Sequence, residues 1–306
     1  MTPPKSTGFD RDRIRGIVPP LATPLTPTED VDRRGMARLV EHVLEGGVHG
    51  VFVLGATGEY PFLDDHQRAE AIEAAVDAVA GRVPVIAGVS AIGTRQAIAN
   101  AWVAQKAGAD VLIATVPYFG SMALDQEWIF EHFRAIAGET DAPLMLYIVP
   151  PLQRDIEPVT IARLAEIDNV IGMKDSASLI HVQDVLFRTK ARNFRVLAGL
   201  EYHLAATLLV GAHGGTPSPA NLIPRRYVDL YERTIGGETA IAMAIQEETN
   251  RFVDGLDAFP QWFSTVKAAL HLMGICGPTA AAPLPRLTTE ETDRLRAHLD
   301  AHRLLT

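Results

Sequence analysis

The segment VIGMKDSAS, Val170 to Ser178, ends an apolar, strand-like run on a lysine. Lys174 is one of five lysines; the others, Lys5, Lys106, Lys190 and Lys267, fall in the N-terminal segment or in helix-like polar contexts. Burial disfavours an ammonium and lowers its pKa. The neutral amine so produced can attack a ketone and form a Schiff base. On pattern alone a plainer alternative is favoured, a strand-end lysine that snorkels to solvent or pairs with Asp175. Tyr147 ends another apolar run, LYIVP, where a phenol could shuttle a proton or simply bond to backbone. GATGE, Gly55 to Glu59, is a glycine-rich turn after the run GVFVLG. Its backbone N–H groups could converge on a small anion with help from the Thr57 hydroxyl, or the glycines could only serve a tight turn. Glu59 reads as a partner for nearby backbone. His66, His181 and His213 have no metal-ligand spacing, H-E-x-x-H and G-x-S-x-G are absent, and these histidines read as surface or packing residues.

These residues need elements to hold them. Apolar runs recur along the chain, each followed by a segment of helical spacing. Gly55, Gly88, Pro117, Tyr147, Lys174 and Gly199 mark successive strand ends, one strand–helix unit apart. The runs are continuous rather than alternating, which indicates parallel strands covered on both faces. Eight such units predict a (β/α)8 barrel over 16–238, with a flexible N-terminal arm over 1–15 and a three-helix C-terminal extension over 239–306. Asp64 with Gln67, and Thr288 with Glu291, have capping-box spacing. An open doubly wound sheet is disfavoured, because the first strand leads into ATPLTP rather than a dinucleotide fingerprint. In a parallel barrel the chemistry sits at the carboxyl ends of the strands. That rule selects Thr23, GATGE, Tyr118, Tyr147, Lys174, Gly199 and Thr216.

Composition excludes other classes. The chain has 306 residues, 47% of them hydrophobic, enough for a large core. With 28 basic and 37 acidic residues the net charge is −9, which disfavours nucleic acid as a partner. No apolar run reaches the ~18 residues of a membrane span, and the first fifteen residues do not read as a signal peptide. The single cysteine, Cys276, can form no internal disulfide and reads as a buried structural thiol. A cytoplasmic location is expected.

Taken together, LATPLT, GATGE with FLDDHQR behind it, VPYF, LYIVP, VIGMKDSAS, GGTPSPAN and the late VKAALHLMG resemble the dihydrodipicolinate synthase / N-acetylneuraminate lyase family of pyruvate-dependent class I aldolases. The resemblance runs from Gly16 to about Leu299. It implies a TIM barrel in which Lys174 forms an imine with pyruvate or another 2-keto acid and Tyr147 relays protons. It implies that Thr57, with the N–H groups of Ala56 and Thr57, holds the substrate carboxylate, and that Gly199 and Thr216 present backbone carbonyls to the substrate. No metal or organic cofactor is implied, since the imine is its own electron sink. A homo-oligomer, dimer or tetramer, is implied as well.

The departures from the family pattern bear on the second substrate. Ala56 stands where a second hydroxyl is usual. Phe119 stands where the synthases carry a tyrosine that reaches into a neighbouring subunit, which leaves Tyr118 as the nearby phenol. Leu152 replaces an arginine, with Arg154 two residues on, and Ile148 replaces an asparagine. Phe119, Ile148 and Leu152 are therefore expected to set specificity, in a pocket less polar than one for an amino-acid aldehyde. The expected activity is a Schiff-base lyase or aldolase. Two alternatives are 4-hydroxy-tetrahydrodipicolinate synthase proper and a keto-acid-binding protein without turnover.

Overall fold

The computed structural model describes residues 8–150 and 154–305. Eight strands appear: β1 (Gly16–Ile17), β2 (Val51–Val53), β3 (Val85–Gly88), β4 (Val111–Thr115), β5 (Leu144–Ile148), β6 (Val170–Asp175), β7 (Arg195–Ala198) and β8 (Gly214–Gly215). All ladder pairs are parallel, in the order β1-β8-β7-β6-β5-β4-β3-β2. The ring closes beyond the end of β1. Leu21 N–H donates to the Phe52 carbonyl at 2.8 Å, and Phe52 N–H donates to the Pro19 carbonyl at 3.0 Å. Closure leaves no open edge in this sheet among the described residues.

The helices between strands are α1 (Arg33–Glu45), α2 (Asp65–Val79), α3 (Thr94–Lys106), α4 (Gln126–Gly138), α5 (Pro158–Leu164), α6 (Leu179–Thr189), α7 (Leu204–Leu209) and α8 (Pro224–Ile235). The barrel expected from the apolar runs is therefore the fold. Both capping boxes form, Asp64 with Gln67 ahead of α2 and Thr288 with Glu291 ahead of the last helix. Each satisfies two otherwise orphaned N–H groups.

Strand alternation divides the core in two. Phe52, Ile86, Val111, Ile113, Met145, Tyr147, Ile171 and Leu197 point inward and pack with Ile14 and Val18 as the barrel interior. The residues between them, such as Leu112, Leu144, Leu146 and Ile148, point outward into the larger layer under the helices. Both faces of each strand are thus apolar, which explains the continuous runs. Gly214 is required by the closeness of β1: a Cβ there would lie 2.1 Å from the Gly16 carbonyl oxygen.

Ahead of β1 the described part of the arm packs on the barrel. Arg11–Arg13 forms a 3-10 turn capped by the Asp10 side chain. Ile14 then plugs the barrel interior, and the Arg195 guanidinium donates to the Ile14 carbonyl at 3.0 Å. An apolar anchor at the lower mouth holds this stretch in place. After α8 come α9 (Thr239–Asp257), α10 (Trp262–Leu272) and α11 (Thr289–Ala301), the three helices expected of the extension. No helix among the described residues is long and apolar enough to cross a membrane.

Candidate active site

β5 and β6 pair with Tyr147 opposite Lys174. A register irregularity between Leu144 and Met145 lets both side chains enter the barrel at its carboxyl end. The Lys174 ammonium donates to the Tyr147 hydroxyl at 3.1 Å, and its Nζ lies 4.5 Å from the Tyr147 ring and 5.3 Å from the Phe52 ring. Lys174 is 5% exposed, so the snorkelling alternative does not hold. The pairing alternative fails too. Asp175, the next residue, faces the helices and binds His181 Nδ1 at 2.7 Å and the Ala177 N–H at 2.8 Å.

Burial drives the Lys174 pKa down to about 7, against the opposing charge of Glu201. At neutral pH about half the amine is unprotonated, roughly a thousand-fold more than for an ordinary lysine. Burial raises the Tyr147 phenol, with the Ala56 N–H as a hydrogen-bond partner that opposes the rise. The phenol therefore remains protonated at neutral pH, able to give and recover a proton.

The GATGE turn is tied together by its own backbone. Gly58 N–H donates to the Gly55 carbonyl and Glu59 N–H to the Ala56 carbonyl, two overlapping turns. The turn is flanked by two non-glycine residues in the left-handed region, Leu54 at φ 58° and Glu59 at φ 60°. Such backbone is costly and tends to mark ligand sites. Thr23, at the end of the first strand segment, donates its hydroxyl to the Gly58 carbonyl at 2.8 Å. Thr57 donates to the Ser218 hydroxyl at 2.9 Å. Asn221 stitches the β1 and β8 ends, accepting from Ala22 N–H and donating to the Pro20 and Ser218 carbonyls.

Of the remaining expected residues, Thr216 is buried and donates its hydroxyl to the Ala198 carbonyl at 3.2 Å. Gly199 sits where a Cβ would lie 2.0 Å from the Ser176 hydroxyl, so only glycine fits beside that loop. Tyr118 stacks edge-on against Tyr60, ring centroids 5.8 Å apart. Ile148 differs from its expectation. It belongs to the outer layer and faces the helices, because strand alternation turns it opposite to Tyr147. Phe119 is 77% exposed and stays out of the Lys174 cluster of its own chain. Leu152 lies outside the described residues.

Several neighbours escaped the sequence reading. Glu201, two residues past Gly199, puts a carboxylate within electrostatic reach of Lys174, and burial raises its pKa. Thr115 continues the inward alternation of Val111 and Ile113, is paired in register with Tyr147, and its buried hydroxyl makes no hydrogen bond of ordinary geometry. Thr115 N–H donates to the Ser90 hydroxyl at 3.0 Å. Counting on by twos from the inward apolar residues would have found Thr115. The largest omission is Lys267. Expected in a polar context, it is 0% exposed and paired with Glu59 at 2.9 Å. Glu59 also accepts the Ala281 N–H, as its expected role as a backbone partner requires. Burial lowers the Lys267 pKa and the Glu59 carboxylate opposes the fall, whereas Lys174 has no carboxylate at ion-pair distance among the described residues. No group of three histidines, cysteines or carboxylates suited to a metal occurs among the described residues.

Fold and site together define a closed (β/α)8 barrel that presents a desolvated lysine–tyrosine pair and the glycine-rich 55–59 turn at the carboxyl ends of its strands. The chain belongs to the dihydrodipicolinate synthetase family, whose model matches residues 13–302. It is 34% identical over 289 residues to a 4-hydroxy-tetrahydrodipicolinate synthase of Leptothrix cholodnii, covering 94% of this chain and 95% of that one. It is 36% identical over 291 residues to an uncharacterised DapA-like lyase of Halobacterium salinarum, covering 94% and 93%. Among solved structures, YagE of E. coli, a family protein crystallised in complex with pyruvate, superposes with a TM-score of 0.90 at 29% identity, covering 95% of this chain and 99% of that one. Lyases are thus the chain's relatives across nearly its whole length.

Proposed function

We propose that this protein is a Schiff-base lyase or aldolase acting on pyruvate or a related 2-keto acid. The carrying observation is Lys174, buried, with its pKa drawn to about 7 and 3.1 Å from the Tyr147 hydroxyl. The Lys174 amine attacks the keto carbon, and the carbinolamine loses water to give a protonated imine. Loss of a proton from the adjacent carbon gives an enamine, which adds to an aldehyde; cleavage runs the same steps backward. Tyr147 supplies and recovers the protons. The substrate carboxylate rests on the 55–58 turn, with the Ala56 and Thr57 N–H groups as donors and the Thr57 side chain, anchored through its hydroxyl to Ser218, holding the turn in place. Gly199 and Thr216 carbonyls line the opposite side. The protonated imine is the electron sink, so this chemistry needs neither a metal nor an organic cofactor.

The relatives named as synthases favour a second reading, condensation of pyruvate with aspartate semialdehyde. Against it stand Ala56, where a second hydroxyl is usual, and Phe119, where the synthases carry a tyrosine. We further propose self-association into a homo-oligomer in the cytoplasm. The exposed Trp102, Phe119, Met122 and Trp128 support this. Exchange of pyruvate's methyl protons with deuterated water tests the imine step without knowledge of the second substrate. Exchange in the wild type that disappears in Lys174→Met is expected. Exchange that survives that substitution would refute the assignment.

A further inference from the structure

The GATGE turn is held from outside the barrel at two points, both on α10. At the first, the Trp262 indole Nε1–H donates to the Ser218 hydroxyl at 3.0 Å, and Ser218 also accepts from Thr57 at 2.9 Å. An indole nitrogen can only donate, so Trp262 fixes the orientation of the Ser218 oxygen and with it the Thr57 hydroxyl. At the second, five residues on, Lys267 makes the buried ion pair with Glu59, both side chains wholly buried. Lys267 also donates to the Thr279 carbonyl at 2.8 Å, and the second Glu59 oxygen accepts the Ala281 N–H at 2.8 Å. Glu59 is the left-handed residue that ends the turn. A glutamate costs more than a glycine in that conformation, and it persists where surroundings over-determine it. Here the determinants are an ammonium and an N–H group of the C-terminal extension.

From these contacts we infer that α10 is a positioning element for the keto-acid carboxylate: Lys267, through Glu59, and Trp262, through Ser218 and Thr57, set the direction of the turn's donors. The extension is then part of the binding machinery rather than an appendage. Trp262 and Lys267 act through other residues and touch no reacting atom. The inference rests on the imine reading above, because that reading places the carboxylate on this turn.

A merely structural α10 would lower stability and weaken every substrate alike. A positioning α10 affects substrates that bring a carboxylate. Two variants separate these cases. Trp262→Phe removes the N–H donor and keeps an aromatic side chain, smaller by one fused ring. The pair Glu59→Gln with Lys267→Met removes both buried charges together, since removing one would leave the other unpaired. Each is assayed by proton exchange on pyruvate and by the same exchange on hydroxyacetone, a ketone without a carboxylate. Trp262→Phe is expected to raise the pyruvate KM about three- to tenfold, the worth of one hydrogen bond, with kcat within about twofold. The double variant should raise it about tenfold or more, and hydroxyacetone exchange should change less than about twofold in both. An unchanged pyruvate KM, or equal loss on the two ketones, overturns the inference while wild-type exchange keeps the imine reading intact. Absence of wild-type pyruvate exchange overturns both. If the double variant does not fold, Trp262→Phe decides the matter alone.

Discussion

Replacing Lys174 with methionine should abolish chemistry and stabilise the fold, and the gain should depend on pH in a definite direction. The folded-state pKa of Lys174 falls from 10.5 to about 7 because burial disfavours its charge. The unfolded chain therefore binds the proton more tightly than the folded one between these values, and stability rises with pH across that window. At about 1.4 kcal/mol per pH unit, the penalty is about 5 kcal/mol at pH 6 and about 2 kcal/mol at pH 9. Methionine loses the bond to Tyr147 and the ring contacts, about 1 kcal/mol in all. The net gain for Lys174→Met is then at most about 4 kcal/mol at pH 6, shrinking to about 1 kcal/mol at pH 9. Urea denaturation of both proteins across that range, read as the difference at each pH, gives the comparison. A difference that stays flat with pH, or a variant less stable than wild type at pH 6, would show that Lys174 is not held desolvated.

Other substitutions follow from the same geometry. Tyr147→Phe keeps the ring packing against Phe52 and removes the hydroxyl; pyruvate proton exchange should fall about 10²- to 10⁴-fold with little loss of stability. Gly199→Ala would place a methyl group 2.0 Å from the Ser176 hydroxyl and should depress the melting temperature and exchange together, as thermal scans and kinetics would show. For His181, burial pulls the imidazolium down, but the hydrogen bond and charge of Asp175 outweigh it and raise the pKa above 6.5. That stabilisation is full below pH 6.5 and is lost as pH rises through the folded pKa, so Asp175→Asn should cost more stability at pH 6 than at pH 8.5 in denaturant titrations.

Much of this was legible in the chain because strand ends announce themselves. Apolar runs closed by glycine, proline or a lone polar residue gave the strand–helix spacing, and the capping boxes gave helix starts. Lys174 and Tyr147 could be found as polar residues interrupting such runs. Orientation was harder. Ile148 adjoins Tyr147 in sequence yet faces the helices, because strand neighbours point to opposite faces. The irregularity in the β5–β6 ladder, which aims Lys174 inward beside Tyr147, leaves no composition signal. Lys267 lies in a helix whose pattern suggested a polar context, and only the fold brings Glu59, some two hundred residues earlier, to its ammonium. Trp262 and Ser218 meet Thr57 for the same reason. Contacts between distant segments are set by closure of the barrel, not by local pattern.

The central claim is that Lys174 is a covalent nucleophile. Borohydride reduction in the presence of pyruvate, followed by peptide mass analysis, tests it most directly. The account predicts a single reduced pyruvate adduct on the peptide carrying Lys174, with Lys267 and the other lysines unmodified. An unmodified Lys174 after treatment with pyruvate and a panel of other 2-keto acids, or an adduct on a different lysine, would contradict it.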